Sequence, residues 1–307
     1  GSGLMGRHSA GAVASTAIVA VGASLVLHEL AHALVGALVG GRPTLITAME
    51  VRGDFTALSP AGRIALGAAG MATNALMAAA AYAALRVRSG VRRAAVWSER
   101  ASAMAAAAAD GAGGGHRPAP GASPAGASAL DLFLWFVLAY GGVLTAAKTA
   151  SETAAGWGDW MTILRAVPHA TVVRALALVL GTAGLLWMVR LSRRMLSGLL
   201  VATTAPERRL EGLRLIATAG FACAVLGSGA AVTSGVGAPR ALALAAGAIL
   251  GPFVVLGLSL AVRRQGRAAP TDLPRTPAVA GLGWTSAAAV VVILMWGVFG
   301  PGLRLGG

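Results

Sequence analysis

Apolar runs sparse in charge, separated by short polar or arginine-rich stretches, set the pattern of this chain. Seven of them reach spanning length, at roughly 10 to 39, 61 to 87, 129 to 150, 170 to 190, 213 to 234, 239 to 262 and 278 to 299. A helix rises about 1.5 Å per residue, so about 20 apolar residues cross the hydrocarbon core of a bilayer. The pattern therefore predicts an all-α polytopic membrane protein with about seven transmembrane helices. Between the first two runs, Arg42 to Pro60 is too short and polar to span. Thr44, Leu45, Ile46, Thr47 and Val51 are rich in β-formers, so a hairpin or an edge strand is expected directly after the first helix. Arg88 to Ser128 has a linker composition, with alanine runs, Gly113-Gly114-Gly115 and the prolines Pro118, Pro120 and Pro124. A disordered cytoplasmic loop is expected there, with His116 a solvated residue. Three parts result: a tail at 1–6, in which Gly1-Ser2-Gly3 reads as a cloning remnant, a core at 10–170, and further helices at 171–307 with no legible role.

Composition sharpens this picture. Hydrophobic residues make up 56% of the 307 and charged residues 12%, which excludes a soluble domain. A net charge of +14 would point to nucleic acid in a soluble protein. Here the basic residues alternate instead: seventeen of the 25, among them Arg7, Arg88, Arg92, Arg190, Arg208 and Arg263, fall on one side of the expected spans. The positive-inside rule then puts the N-terminus in the cytoplasm and the C-terminus outside, and no nucleic-acid partner is expected. Arginine outnumbers lysine 24 to 1 and alanine is abundant, as in GC-rich bacterial genomes, so a multi-pass protein of a bacterial cell membrane is expected, with the bilayer as its partner. The first run is too long for a cleavable signal peptide and is expected to stay in the mature protein. Cys223 is the one cysteine, so no internal disulfide forms, and its place in an apolar run reads as a small core residue.

The densest chemistry lies in the first run, at His28-Glu29-Leu30-Ala31-His32. Residues four apart share a helix face, so both imidazoles can grip one metal ion with Glu29 beside it. Ionisable groups inside a bilayer are costly, which turns this short motif into a functional candidate. A catalytic zinc takes three protein ligands and leaves a fourth position to water. Asp159, in Gly156-Trp157-Gly158-Asp159-Trp160 after the third run, is the best third ligand, with Glu152 and His169 as weaker substitutes. His169 reads rather as the start of the fourth helix, and Lys148 as a side chain snorkelling to the interface.

The HExxH in a first core helix, the β-prone segment after it, Gly70-Met71-Ala72-Thr73-Asn74 in the second run and an aspartate after the third together resemble the site-2 protease family of intramembrane zinc metalloproteases. The resemblance covers roughly residues 20 to 165. It departs from the family at the third motif, where Ser151, Ala154 and Trp160 replace an asparagine, a proline and a glycine. It also lacks a stretch that reads as a PDZ domain. The family's GxxxN-type motif lies near the active site and ends here on Gly70 and Asn74. The resemblance implies that Gly70 permits close helix packing and that Asn74 offers an amide to a strand-like substrate or a developing oxyanion.

These readings imply a zinc-dependent intramembrane endopeptidase with about one Zn2+ per chain. His28, His32 and Asp159 are the expected ligands, Glu29 the general base and Asn74 a second catalytic group. A transmembrane substrate must unwind before it can be cut, and Gly70, Thr47 and Met49 are expected to receive it, the latter two by strand addition. Two alternatives stay open: a zinc-binding transporter or sensor without hydrolytic activity, for which Gly251-Pro252 would break the sixth helix, and a membrane metallohydrolase acting on a lipid or small molecule.

Overall fold

The computed structural model describes residues 8–110, 128–200, 204–234, 250–262 and 281–305. Among the described residues eight helices are formed, by Ala10–Leu38 (α1), Pro60–Asp110 (α2), Ala129–Ala155 (α3), Gly158–Leu164 (α4), Ala170–Ser197 (α5), Ala205–Thr233 (α6), Gly251–Val262 (α7) and Leu282–Ile293 (α8), the last continuing as a π-helical turn through Leu294–Val298. Five of these, α1, α2, α3, α5 and α6, are long and apolar enough to cross a membrane, consistent with a multi-pass membrane protein. The sixth and seventh expected runs correspond to the shorter α7 and α8, and 235–249 lie outside the described residues.

Local chemistry sets where the helices begin and end. Ser9 caps α1 by accepting the Ala12 N–H at 3.1 Å. Ser128 and Asp131 form a reciprocal capping box at the start of α3, and Gly156, left-handed at φ 71°, closes it by donating its N–H to the Glu152 carbonyl at 2.8 Å. Thr204 caps α6 in the same way as Ser9 caps α1.

Arg88 to Asp110, expected as disordered loop, instead prolong α2. Alanine and arginine are strong helix formers, and a helix already nucleated in the core propagates through them at little cost. Asp131, fully buried, pins this extension: Arg88 Nε donates to Oδ1 at 2.6 Å and Arg92 to Oδ2 at 2.5 Å. The glycine and proline part of the expected loop, 111–127 with His116, lies outside the described residues, as do residues 1–6.

The helix α3 is the axis of the bundle. It packs on α1, α2 and α5, and Trp135, Phe136 and Tyr140 are its fully buried anchors. Trp135 Nε1 donates to the Ser192 carbonyl at 2.8 Å, and the His8 ring stands 3.0 Å from the Leu199 carbonyl oxygen. The start of α1, the start of α3 and the end of α5 thus gather at one end with Arg88 and Arg92, while the end of α1, the start of α2 and the end of α3 gather at the other. On the outside, α5 exposes Leu176, Val179, Leu180 and Trp187, an apolar face suited to lipid. Cys223 is buried in the core as expected.

A small sheet covers the second end. Strands β1 (Arg42–Ile46) and β2 (Val51–Asp54) form the expected antiparallel hairpin, with Ile46 opposite Val51 and Arg42 opposite Asp54, and a bulge between Pro43 and Leu45. A third strand, β3 (Leu303–Arg304), was not legible in the sequence. It pairs with the other edge of β1, with Leu45 opposite Arg304.

Candidate metal centre

His28, Glu29 and His32 lie past the midpoint of α1, all three buried. The two Nε2 atoms face each other at 3.2 Å. Each imidazole is oriented from behind. His32 Nδ1 lies 2.8 Å from the Leu66 carbonyl oxygen of α2, so it carries the proton and leaves Nε2 its lone pair. His28 Nδ1 lies 3.1 Å from the amide of Asn74, whose buried Oδ1 has no hydrogen-bond partner among the described residues. The atom placed there is Nδ2, and a half-turn of the amide would bring Oδ1 to the ring instead, where it could accept an Nδ1 proton and leave Nε2 to a metal.

Gly70 makes room for the pair. A Cβ there would stand 2.5 Å from His32 Nε2 and closer still to His28 Nε2. Close approach recurs one turn earlier at Gly67, where a Cβ would come within 2.8 Å of the Asp159 carbonyl oxygen, so α4 rests directly on α2. The turn between α3 and α4 delivers Asp159. Gly158 is left-handed at φ 72°, and any side chain on it would overlap the Glu152 carboxylate. Asp159 Oδ2 reaches 3.5 Å from His28 Nε2 and Oδ1 3.5 Å from His32 Nε2, and the three ligand atoms all lie within 4.8 Å of one another. Burial opposes the charged form of Asp159. The neighbouring His28 and His32 side chains and the ammonium of Lys148 outweigh it and hold the carboxyl below the usual range.

Two further charged groups complete the wall. Lys148 Nζ donates to Asp159 Oδ2 at 2.8 Å and lies 3.4 Å from both His28 Nε2 and Glu152 Oε1. Glu152, itself buried, accepts the Trp160 backbone N–H at 3.4 Å. Glu29, Glu50, Glu152 and Asp159 line the cavity together with Lys148, an excess of carboxylates over cations that a divalent cation would offset. The donor set, the space kept clear by Gly70 and this charge balance all fit a metal ion.

The centre opens into a cavity of about 400 Å³. His28, Glu29 and His32 form one wall, Lys148, Glu152 and Asp159 another, and Met49, Glu50, Val51 and Phe55 of the hairpin region a third. No known protein family, curated protein or solved structure matches this chain.

The residues singled out in the sequence divide into three groups. His28, Glu29, His32 and Asp159 meet at the centre, Gly70 abuts it, and Met49 lines its cavity. Asn74 and Thr47 take other places than expected. The Asn74 amide lies against His28 Nδ1 and is not among the residues lining the cavity. Thr47 is buried, and its hydroxyl accepts the N–H groups of Met49 and Glu50 at 3.2 and 3.0 Å, which closes the hairpin turn instead of receiving a strand. His169 stands at the N-cap of α5 as expected, outside the centre. Glu152, expected as a weaker substitute for Asp159, lies beside it on the cavity wall, and Lys148, expected to snorkel, instead turns onto both carboxylates. A signal for it existed: it is the only lysine in a chain with 24 arginines, and it lies inside an apolar run. Asn74→Ala is expected to weaken metal affinity by about 10- to 100-fold, read by chelator competition, because His28 loses its polar neighbour at Nδ1.

Proposed function

We propose that this chain is a zinc-dependent intramembrane endopeptidase of the site-2 protease type, cutting a membrane-embedded protein substrate. The observation that carries the reading is the convergence of His28, His32 and Asp159 ligand atoms within 4.8 Å, beside Glu29, in a cavity walled by a β-hairpin. Zinc held by these three side chains supplies a Lewis acid that polarises the scissile carbonyl and makes water easier to deprotonate. Glu29 takes the proton of the attacking water as the new C–O bond forms, and passes it to the amide nitrogen as the C–N bond breaks. The substrate helix must unwind first, since its backbone groups are all used internally. Among the described residues β1 has both edges occupied, by β2 and β3; of the two outer edges, that of β2 belongs to the strand whose Val51 lines the cavity, and it is the one offered to an extended segment.

Co-expression of the full chain with single-span substrates is expected to yield cleavage fragments on immunoblots that Glu29→Gln abolishes while zinc content persists. Zinc-loaded protein that cuts none of a broad panel and moves zinc across proteoliposome membranes would instead establish the transporter alternative.

The arginine clusters at the Arg88 and Arg92 end support a cytoplasmic N-terminus in a bacterial membrane, with the centre toward the external end. An impermeant thiol reagent applied outside is expected to label Thr56→Cys and to spare Ser98→Cys. The reverse pattern would invert the topology.

A further inference from the structure

A peptidase needs more than a base and a metal, because negative charge builds up on the scissile carbonyl oxygen as water adds. Asn74, the group its sequence motif suggests for that task, is engaged behind His28. Of the described residues that line the cavity, Lys148 is the one cation. Its Nζ lies 3.4 Å from His28 Nε2, a metal-facing atom, and its side chain keeps about a fifth of its surface exposed. An ammonium has three donors. Asp159 Oδ2 at 2.8 Å takes one, and Glu152 Oε1 and His28 Nε2, each at 3.4 Å, are placed for the other two; a metal on His28 Nε2 would occupy that lone pair and turn the third donor to the cavity. The choice of residue type agrees with this task. In a chain that otherwise uses arginine throughout, the site carries a compact point charge on a flexible stem, not a broad planar guanidinium that would fill the cavity.

We propose that Lys148 is a catalytic residue that donates a hydrogen bond to the scissile carbonyl oxygen as that oxygen becomes negative. The inference rests on the peptidase reading above. Lys148 forms no covalent bond and keeps its protons; it lends charge while the C–O bond forms and the C–N bond breaks, and the oxygen returns to a neutral carbonyl. The competing account is that Lys148 only holds Asp159 in place for the metal.

The two accounts predict opposite effects on metal binding. A fixed positive charge beside a dication weakens its binding, so removing it leaves affinity equal or raised, whereas losing a support for Asp159 lowers it. Full-length wild type, Lys148→Met and Lys148→Arg in detergent are compared by chelator competition for zinc. Their Co2+-substituted forms are titrated with a phosphinic peptide, a tetrahedral anion that imitates the charged carbonyl adduct, followed in the visible spectrum. Lys148→Met is expected to bind zinc at least as tightly as wild type and the phosphinic peptide about 100-fold more weakly, with kcat reduced by a similar factor and KM little changed. Lys148→Arg, which keeps the charge, is expected to recover part of the phosphinic affinity. Unchanged phosphinic affinity in Lys148→Met, or a loss of zinc affinity that matches the loss of phosphinic affinity, would overturn the proposal. A wild type that binds zinc and cleaves nothing refutes the peptidase reading alone, since the phosphinic comparison still decides whether Lys148 meets an anion at the centre.

Discussion

Purified Asp159→Ala is expected to lose its zinc almost completely, from about one ion per chain to less than about a tenth, and all cleavage with it. The change deletes one of three ligands and also strips Lys148 of its nearest anion, at 2.8 Å. His28→Ala and His32→Ala are expected to do the same, because the imidazoles face each other across 3.2 Å and neither has a substitute on α1. His169→Ala is the control. That residue caps α5 in a left-handed conformation and touches none of the centre, so zinc content should not change. Elemental analysis of the four proteins decides the matter: zinc retained in Asp159→Ala would transfer the third ligand to Glu152, whose carboxylate is the nearest other anion on Lys148, 3.4 Å from its Nζ.

Gly70→Ala is expected to be nearly as damaging, though it adds a single methyl group far less polar than anything it displaces. The added carbon would overlap both imidazoles at their Nε2 atoms. Either α2 moves away from α1 or the rings turn, and a metal centre tolerates misplacement of only about 0.5 Å. Overpacking of this kind costs about 1–3 kcal/mol, so the bundle should still fold. The expected result is a fall in activity of more than about 100-fold with depleted zinc, at a melting temperature in detergent within a few degrees of wild type. Gly184→Ala should be silent, since a Cβ there meets only the Ala146 Cβ at an ordinary 3.6 Å. Equal zinc and activity in Gly70→Ala and wild type would mean that the helices are not this close.

Much of the fold was legible because membrane helices advertise themselves through length and apolarity alone. The five long helices follow the apolar runs closely, and the hairpin follows its β-branched residues. Reading failed where composition has two meanings. Arg88 to Asp110 has the alanine-rich composition of a linker, yet its residues favour helix once α2 is nucleated and Asp131 holds Arg88 and Arg92. The strand β3 is two residues long, too short for any periodicity, and exists because β1 offers it an edge.

By itself the sequence determined the helical bundle, the pairing of His28 with His32 and the presence of Glu29 beside them, since all three follow from one helix's repeat of 3.6 residues. Only the tertiary structure decided what surrounds that pair. Asp159 reaches it from about 130 residues away through a turn that two glycines permit, Asn74 comes to lie against His28, and Lys148, expected at the interface, lies against Asp159 in the centre. The physical reason is common to all three. An isolated helix dictates which of its own residues share a face, but which groups from other helices meet that face depends on how closely the backbones approach, and here that approach is set by the absence of side chains at Gly67, Gly70 and Gly158.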